Sequence, residues 1–306
     1  MKRRSFIKTA AGFSLVAPAT ISGFERARAD TNATETGLSI TWLGAATLLL
    51  SCGDLTVVTD PCFGDGNQAF RMGDPNEMFE LAAGPNIKFH RRLTPFQGLD
   101  LDKVDRVILS HMHEDHFDQK AEQDLRKDIP ILAPAHDVET LRSKGFEDVT
   151  GLNWGDQHVI RKGDVTISLR AIRADHSENP VIAKILGPGN GYWLIFQQGD
   201  FRKSLYWTGD TFPTSPVLEA LQPLGAPEIL IPHLGGVGTT GSLGKISMGA
   251  EELALFADAL NPGKILPVHH STYDLYLEPA HHVAEALSGR TNGLDFISEG
   301  TVLKYL

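Results

Sequence analysis

Ser110-His111-Met112-His113-Glu114-Asp115-His116-Phe117-Asp118 sets three histidines and Asp115 within six positions. Neutral imidazole and carboxylate are the side chains that divalent transition metals prefer, so the stretch reads as a metal site. The run before it, Arg106-Val107-Ile108-Leu109, is apolar and β-branched enough to be a buried strand. The cluster then sits on the loop leaving that strand's C-terminal end, where α/β enzymes keep their chemistry. His111 and His113, two apart in an extended segment, point to one side and can grip one ion. Asp115 and His116 follow where the chain must turn toward a helix, within reach of a second ion beside the first. A solvated polar loop is the bland alternative, and the H-x-H-x-D-H spacing argues against it.

Upstream, residues 38–43 and 47–51 read as strands, and Gly53-Asp54 turns the chain into a third strand at 55–59 that stops at Asp60-Pro61. Residues 63–98 are rich in Gly, Pro, Asn and Phe without a clear period. They read as a flap over the substrate or as a surface insertion. Downstream come a helix near 119–127, a strand at 131–133 and a helix near 138–144, ended by Gly145. Strands dominate at 149–152, 158–161, 165–172, 192–197 and 204–207. A second alternating stretch has helices near 216–221, 248–260 and 278–287, strands at 228–231 and 264–268, and closing strands around Phe296 and at 302–304. This order predicts an α/β fold, a four-layer αββα sandwich of two mixed β-sheets flanked by helices. No internal repeat is visible, yet the two halves echo each other in outline.

Polar residues follow strands three more times: His176 after Arg173-Ala174-Asp175, Asp210 in Thr208-Gly209-Asp210-Thr211, and His269 in Val268-His269-His270-Ser271-Thr272-Tyr273. Each alone is an ordinary loop residue; with the first cluster they complete two coordination spheres. His270 is the rival of His269, but its side chain should point the opposite way at a strand end. His233 follows the strand at 228–231, so it is expected near the same rim, lining the pocket. His90, His136, His158, His281 and His282 have no motif around them and read as surface or capping residues.

H-x-H-x-D-H, a lone His, G-D-T and a final His after a strand together resemble the ordered signature of the metallo-β-lactamase superfamily, across nearly all of the chain beyond residue 29. Thr41 to Thr47 and Thr59-Asp60-Pro61 look like that family's first hairpin. His269 to Tyr273 with Glu278-Pro279 is similar to segments of the N-acyl-phosphatidylethanolamine phospholipase D branch, and to an H-Y-G-T-F segment of the ascorbate-phosphate lactonase branch. Ser271 and Tyr273 depart from that Gly and Phe. The resemblance implies that His111, His113 and His176 hold one cation, that Asp115, His116 and His269 hold a second, and that Asp210 bridges them. It implies two divalent ions as cofactors, zinc first, with manganese or iron tolerated by a bridging carboxylate. The expected activity is hydrolysis of an ester, lactone, amide or phosphodiester by water that the paired ions ionise. Asp115 is the expected catalytic residue, orienting the nucleophile, and His233 and Tyr273 the expected substrate contacts. The β-lactamases proper have Cys where this chain has Asp210, which points away from drug hydrolysis. An iron-dependent oxidoreductase on the same fold and a non-catalytic metal-binding protein are the alternatives.

With 306 residues, 42% hydrophobic and 22% charged, the chain can bury a full core. Residues 1–29 stand apart. A twin arginine at Arg3-Arg4, a short apolar run from Thr9 to Ile21 and Ala27-Arg28-Ala29 are the parts of a secretory signal peptide of the Tat type. Cleavage is expected after Ala29, leaving a hydrolase domain at 30–306 in the periplasm or outside the cell, with the Tat export machinery as a partner. The apolar run is too short to span a bilayer stably. Residues 1–29 hold six of the 28 Lys and Arg and one of the 38 Asp and Glu, so the remainder is more acidic than the net −10 of the whole chain. Such a surface repels nucleic acid, which leaves a small molecule as the expected partner at the site. No motif speaks to oligomeric state. Cys52 and Cys62 bracket a strand, about 20 Å apart at roughly 3.3 Å per residue, so both are expected as free thiols.

Overall fold

The computed structural model describes residues 36–306; the export-signal reading falls on residues outside that range. Strands β1 (Leu38–Gly44), β2 (Thr47–Cys52) and β3 (Leu55–Thr59) form an antiparallel meander. A small hairpin follows, β4 (Phe70–Gly73) with β5 (Ile87–His90). The chain then returns to the first sheet for the parallel strands β6 (Arg106–Ile108), β7 (Ile131–Pro134) and β8 (Val149–Leu152), with helices α1 (Gln119–Asp124) and α2 (Val138–Ser143) between them. The second sheet starts with β9 (Gln157–Lys162) and β10 (Val165–Ala174), passes through helix α3 (Pro180–Leu186), and continues with β11 (Gly189–Gln198) and β12 (Phe201–Trp207). Helix α4 (Ser215–Leu221), β13 (Ile229–Ile231), α5 (Ala250–Leu260), β14 (Lys264–Ile265), α6 (His281–Ala286) and β15 (Gly293–Leu294) complete it. The last strand, β16 (Val302–Tyr305), crosses back to pair with β1.

The sheets run β16-β1-β2-β3-β6-β7-β8 and β9-β10-β11-β12-β13-β14-β15. Each has three antiparallel pairs followed by three parallel ones, which is the echo between halves that the element order suggests. Side chains alternate across the strands, and where both faces are covered, as in β2, β7 and β13, the strand reads as a nearly continuous apolar run. Trp42, Leu48, Leu50, Val57 and Ile108 face the second sheet's Leu194, Phe196, Leu205 and Trp207. Their neighbours Leu43, Leu49, Val58 and Val107 face outward onto Ala121 of α1 and Leu141 of α2. On the far side Trp193, Tyr206 and Leu230 pack on Val217 of α4 and on Leu253 and Phe256 of α5. Full burial of each such aliphatic side chain contributes roughly 1.5–3 kcal/mol. Helices outside two facing sheets make the expected four layers.

Three local expectations need correction. The hairpin β4–β5 and helix α3 have no counterpart in the sequence reading, and the strand expected around Phe296 falls instead at Gly293–Leu294. All are short elements held by tertiary packing, so little periodicity marks them. His90, expected at the surface, is buried and stacks on Phe70 at 4.8 Å. Cys52 and Cys62 are free, as expected, and both are buried. No helix among the described residues is long and apolar enough to cross a membrane.

Candidate metal centre

The loops at the C-terminal ends of β6, β10 and β12, with the one that follows β14, meet on one rim, and each delivers a donor. The β6 loop carries His111, His113, Asp115 and His116 and closes where Asp118 caps α1, its carboxylate accepting the Ala121 N–H at 2.6 Å. His176 follows β10. Asp210 follows β12 through Gly209, whose φ is +60°; a Cβ there would lie 2.6 Å from the Asn190 carbonyl oxygen, so only glycine lets the loop approach this closely. His269 follows Val268, which continues β14 through a parallel bridge to His233. His269 itself has φ of +59° and Ser271 +56°, conformations that non-glycine residues adopt at some strain. The loop is held by Thr272, whose hydroxyl accepts the Ala45 N–H at 2.7 Å and donates to Glu299 at 2.7 Å.

Two donor groups result. Nε2 of His111, Nδ1 of His113 and Nε2 of His176 form a triangle with sides of 3.0, 3.2 and 3.2 Å. Ligands about 2.0–2.1 Å from a tetrahedral ion are separated by about 3.3 Å, so the triangle has the size of one metal face. Beside it, Asp115, His116 and His269 place a ligand atom each within 4.8 Å of one another, with Asp115 Oδ2 3.3 Å from His269 Nε2. Asp210 faces both: Oδ2 is 3.7 Å from His176 Nε2, and Oδ1 is 3.4 Å from His116 Nε2.

The outward ring nitrogens show that this arrangement fits a cation. His113 Nε2 donates to the Leu186 carbonyl, His176 Nδ1 to that of Ile246 and His269 Nδ1 to that of Leu234, at 3.2, 2.7 and 2.8 Å. Ser110 gives its hydroxyl proton to Asp60 and so accepts from His111 Nδ1 at 2.9 Å, while His116 Nδ1 donates to Asp60 at 2.7 Å. The outer nitrogen of each ring thereby carries a proton, and in His111, His113 and His176 this leaves the lone pair of the other nitrogen pointing inward. Three lone pairs at this separation with no proton among them repel unless a positive charge joins them. Nε2 of His116 and of His269 are likewise buried without a hydrogen-bond partner.

Electrostatics agree. Burial, then the neighbouring His176, pushes His113 down to about 4, and burial with the His116 charge holds His111 well below the usual imidazole range. Burial also pulls on His116, but the Asp210 and Asp115 carboxylates outweigh it and hold that ring well above its usual range. Asp115 and Asp210 are drawn low despite burial, Asp115 by His116 first and Asp210 by His269 first. Cation binding at the second group therefore displaces protons from His116, whereas burial already keeps His111 and His113 neutral.

All seven predicted donors converge. His270 points away, stacking on Phe296 at 5.2 Å and Trp42 at 4.7 Å. His233 and Tyr273 do not line the cavity as expected. Both are fully buried: His233 lies beneath the cluster with Nδ1 3.1 Å from Asp210 Oδ1, and Tyr273 packs its ring on Phe70. Sequence reasoning missed the anchoring role of Asp60, although its place at the end of β3 before Pro61 marks it as a loop carboxylate on this rim. It also missed helix α3, whose Asn179-Pro180 start and Gly187 end are ordinary boundary signals.

Above the donors lies a cavity of about 270 Å³, with His113, Glu114, Asp115, His176 and Asp210 at its base. Its walls are apolar: Met72, Phe79 and Ile87 from the β4–β5 region, Ile185 and Leu186 from α3, and Ile246. The segment at 63–98 thus walls the site.

The beta-lactamase superfamily domain matches residues 39–269. N-acyl-phosphatidylethanolamine-hydrolyzing phospholipase D 1 of Caenorhabditis elegans is 26% identical over 289 residues, spanning 86% of this chain and 73% of that protein. A metal-dependent hydrolase of Archaeoglobus fulgidus is 25% identical over 84% of this chain and 93% of its own. Among solved structures, isothiocyanate hydrolase from Delia radicum gut bacteria superposes with a TM-score of 0.69 at 25% identity, covering 87% of this chain and 98% of that one. The domain match spans every strand and loop that delivers a donor, and the chain belongs to the beta-lactamase superfamily, as one of its metal-dependent hydrolases.

Proposed function

We propose that the chain hydrolyses a small, largely apolar substrate, cleaving an ester, lactone, amide or phosphodiester bond at a paired-cation centre. The observation that carries this reading is Asp210, whose two oxygens face separate donor groups at the base of an apolar cavity. His111, His113 and His176 would hold one cation, and Asp115, His116 and His269 the other. Nitrogen and carboxylate donors without thiolate suit zinc and accommodate manganese or iron. Two divalent cations supply Lewis acidity and a water ionised near neutral pH.

The chain's own residues do the rest. Asp115, held ionised, would accept a hydrogen bond from an attacking water and so orient it. Carbonyls of Leu186, Ile246 and Leu234 keep the imidazoles in register. Met72, Phe79 and Ile87 exclude bulk water and grip the apolar part of the substrate. Two of the three similar proteins are named as hydrolysing N-acyl-phosphatidylethanolamine and isothiocyanate, which supports hydrolysis at this site.

Metal analysis of protein purified without chelator, followed by a screen over lactones, phosphodiesters and acyl amides, tests the proposal. About two metal ions per chain with hydrolytic turnover are expected, and Asp210→Ala or His113→Ala should lose metal and turnover together. Turnover retained in both variants contradicts it, and iron-loaded protein that consumes oxygen but hydrolyses nothing would return the oxidoreductase alternative. Residues 1–29 are proposed as a Tat-type export signal on their sequence alone. N-terminal sequencing of exported protein should begin at Asp30, and protein kept in the cytoplasm with Met1 intact refutes it.

A further inference from the structure

Tyr276 stands seven residues beyond His269 and packs its ring on that imidazole, with centroids 4.6 Å apart. Gly235 makes the room: a Cβ there would lie 2.9 Å from Tyr276 Cδ1, and its φ is +110°. The backbone around the ring is fixed, since the Tyr276 N–H donates to the Tyr273 carbonyl and the Leu277 and Glu278 N–H groups donate to that of Gly235. The Tyr276 hydroxyl, however, is buried and hydrogen-bonds to nothing in the chain. Tyr192, fully buried, shows the usual solution: its hydroxyl donates to the Leu109 carbonyl at 2.9 Å. Leaving a buried hydroxyl unpaired is costly, so a partner outside the chain is implied. Tyr206 and Tyr273 also carry unpaired hydroxyls. Tyr206 stacks on Trp193, and Tyr273 packs on Phe70 and on the Tyr276 ring itself. Of the three, Tyr276 is the one whose ring packs on a donor imidazole.

We propose that Tyr276 donates a hydrogen bond to the oxygen atom, of water or of substrate, that is held at the Asp115, His116 and His269 group. This rests on the reading of that group as a cation site. The phenol keeps its proton throughout; no bond to it forms or breaks. A fixed donor beside an oxygen that gathers negative charge stabilises that charge without reorganising, which favours hydrolysis. The residue is invisible to the metal-ligand spacing because it acts on the ligand of the ion, not on the ion.

The test loads the apo protein with cobalt(II) and follows the visible spectrum against pH, whose midpoint reports ionisation of bound water. Tyr276→Phe should bind cobalt with the wild-type stoichiometry and raise the midpoint by about one to two pH units. Tyr273→Phe should leave it where it is. Equal midpoints for wild type and Tyr276→Phe, with cobalt bound in both, overturn the inference alone. Failure of the wild type to bind cobalt overturns it together with the cation-site reading. A second measurement needs no change at Tyr276: zinc added to apo Tyr273→Phe should perturb the near-ultraviolet tyrosine absorbance. Zinc binding without that perturbation also overturns the inference.

Discussion

Asp210 and His233 show how a single residue's role is set by what lies behind it. His233 Nδ1 lies 3.1 Å from Asp210 Oδ1, and the His233 ring stacks on His269 at 5.4 Å, so it braces one donor and buttresses another without reaching the cavity. Burial pushes His233 down to about 3, which keeps it neutral and confines it to a single N–H donor, on the Asp210 side. Partners of this kind typically contribute 10- to 100-fold to metal affinity. His233→Leu should therefore keep the fold but weaken zinc binding by about 10- to 100-fold in competition with a chelator. Unchanged affinity would mean that Asp210 holds its orientation unaided. The seven donors are readable in the sequence because each follows a strand in a recognisable string. Asp60 and Tyr276 are not, and of His233 only the place on the rim is, because their roles depend on which atoms they meet across 50, seven and 23 residues of chain, at Ser110, His269 and Asp210 respectively.

At the scale of elements, the strained loop at His269 is kept in place by a buried ion pair. The Arg92 guanidinium, 0% exposed, contacts Glu299 at 3.0 Å and donates to the Leu43 and Cys62 carbonyls at 2.5 and 3.3 Å. Glu299 in turn accepts the Thr272 hydroxyl, so β5's exit, the β1–β2 turn and the last donor loop are joined through one network. Removing one partner of such a pair leaves an uncompensated buried charge, at a cost of about 3–5 kcal/mol. Arg92→Ala should lower unfolding free energy by about that amount in urea titration, with loss of the second metal before the first. A shift below about 1 kcal/mol would place the pair among the weak surface bridges. The helices and long strands of the sandwich are legible from periodicity, whereas α3 and the β4–β5 hairpin are not. The hairpin strands have four residues each and α3 has seven, and both elements pack over the site: the Leu186 carbonyl, at the end of α3, accepts a hydrogen bond from His113 Nε2.

Over the whole molecule, two sheets with the same pairing pattern bring their loop ends to one edge, each giving part of the donor set. The β6 loop of the first sheet supplies four donors, and the second sheet supplies His176, Asp210 and His269. Neither half is complete without the other, so packing of Trp42, Leu50 and Ile108 against Leu194 and Trp207 is also what assembles the site. That dependence explains why the order of elements, readable from the sequence, leads directly to the chemistry, while the apolar cavity above it does not. The cavity is lined from five separate segments, and only the folded chain gathers them. The most direct measurement is anomalous diffraction at the zinc edge from crystals of the zinc-loaded protein. The account predicts two peaks about 3.5–4 Å apart with Asp210 between them. A single peak, or peaks away from His111, His113 and His176, would contradict it.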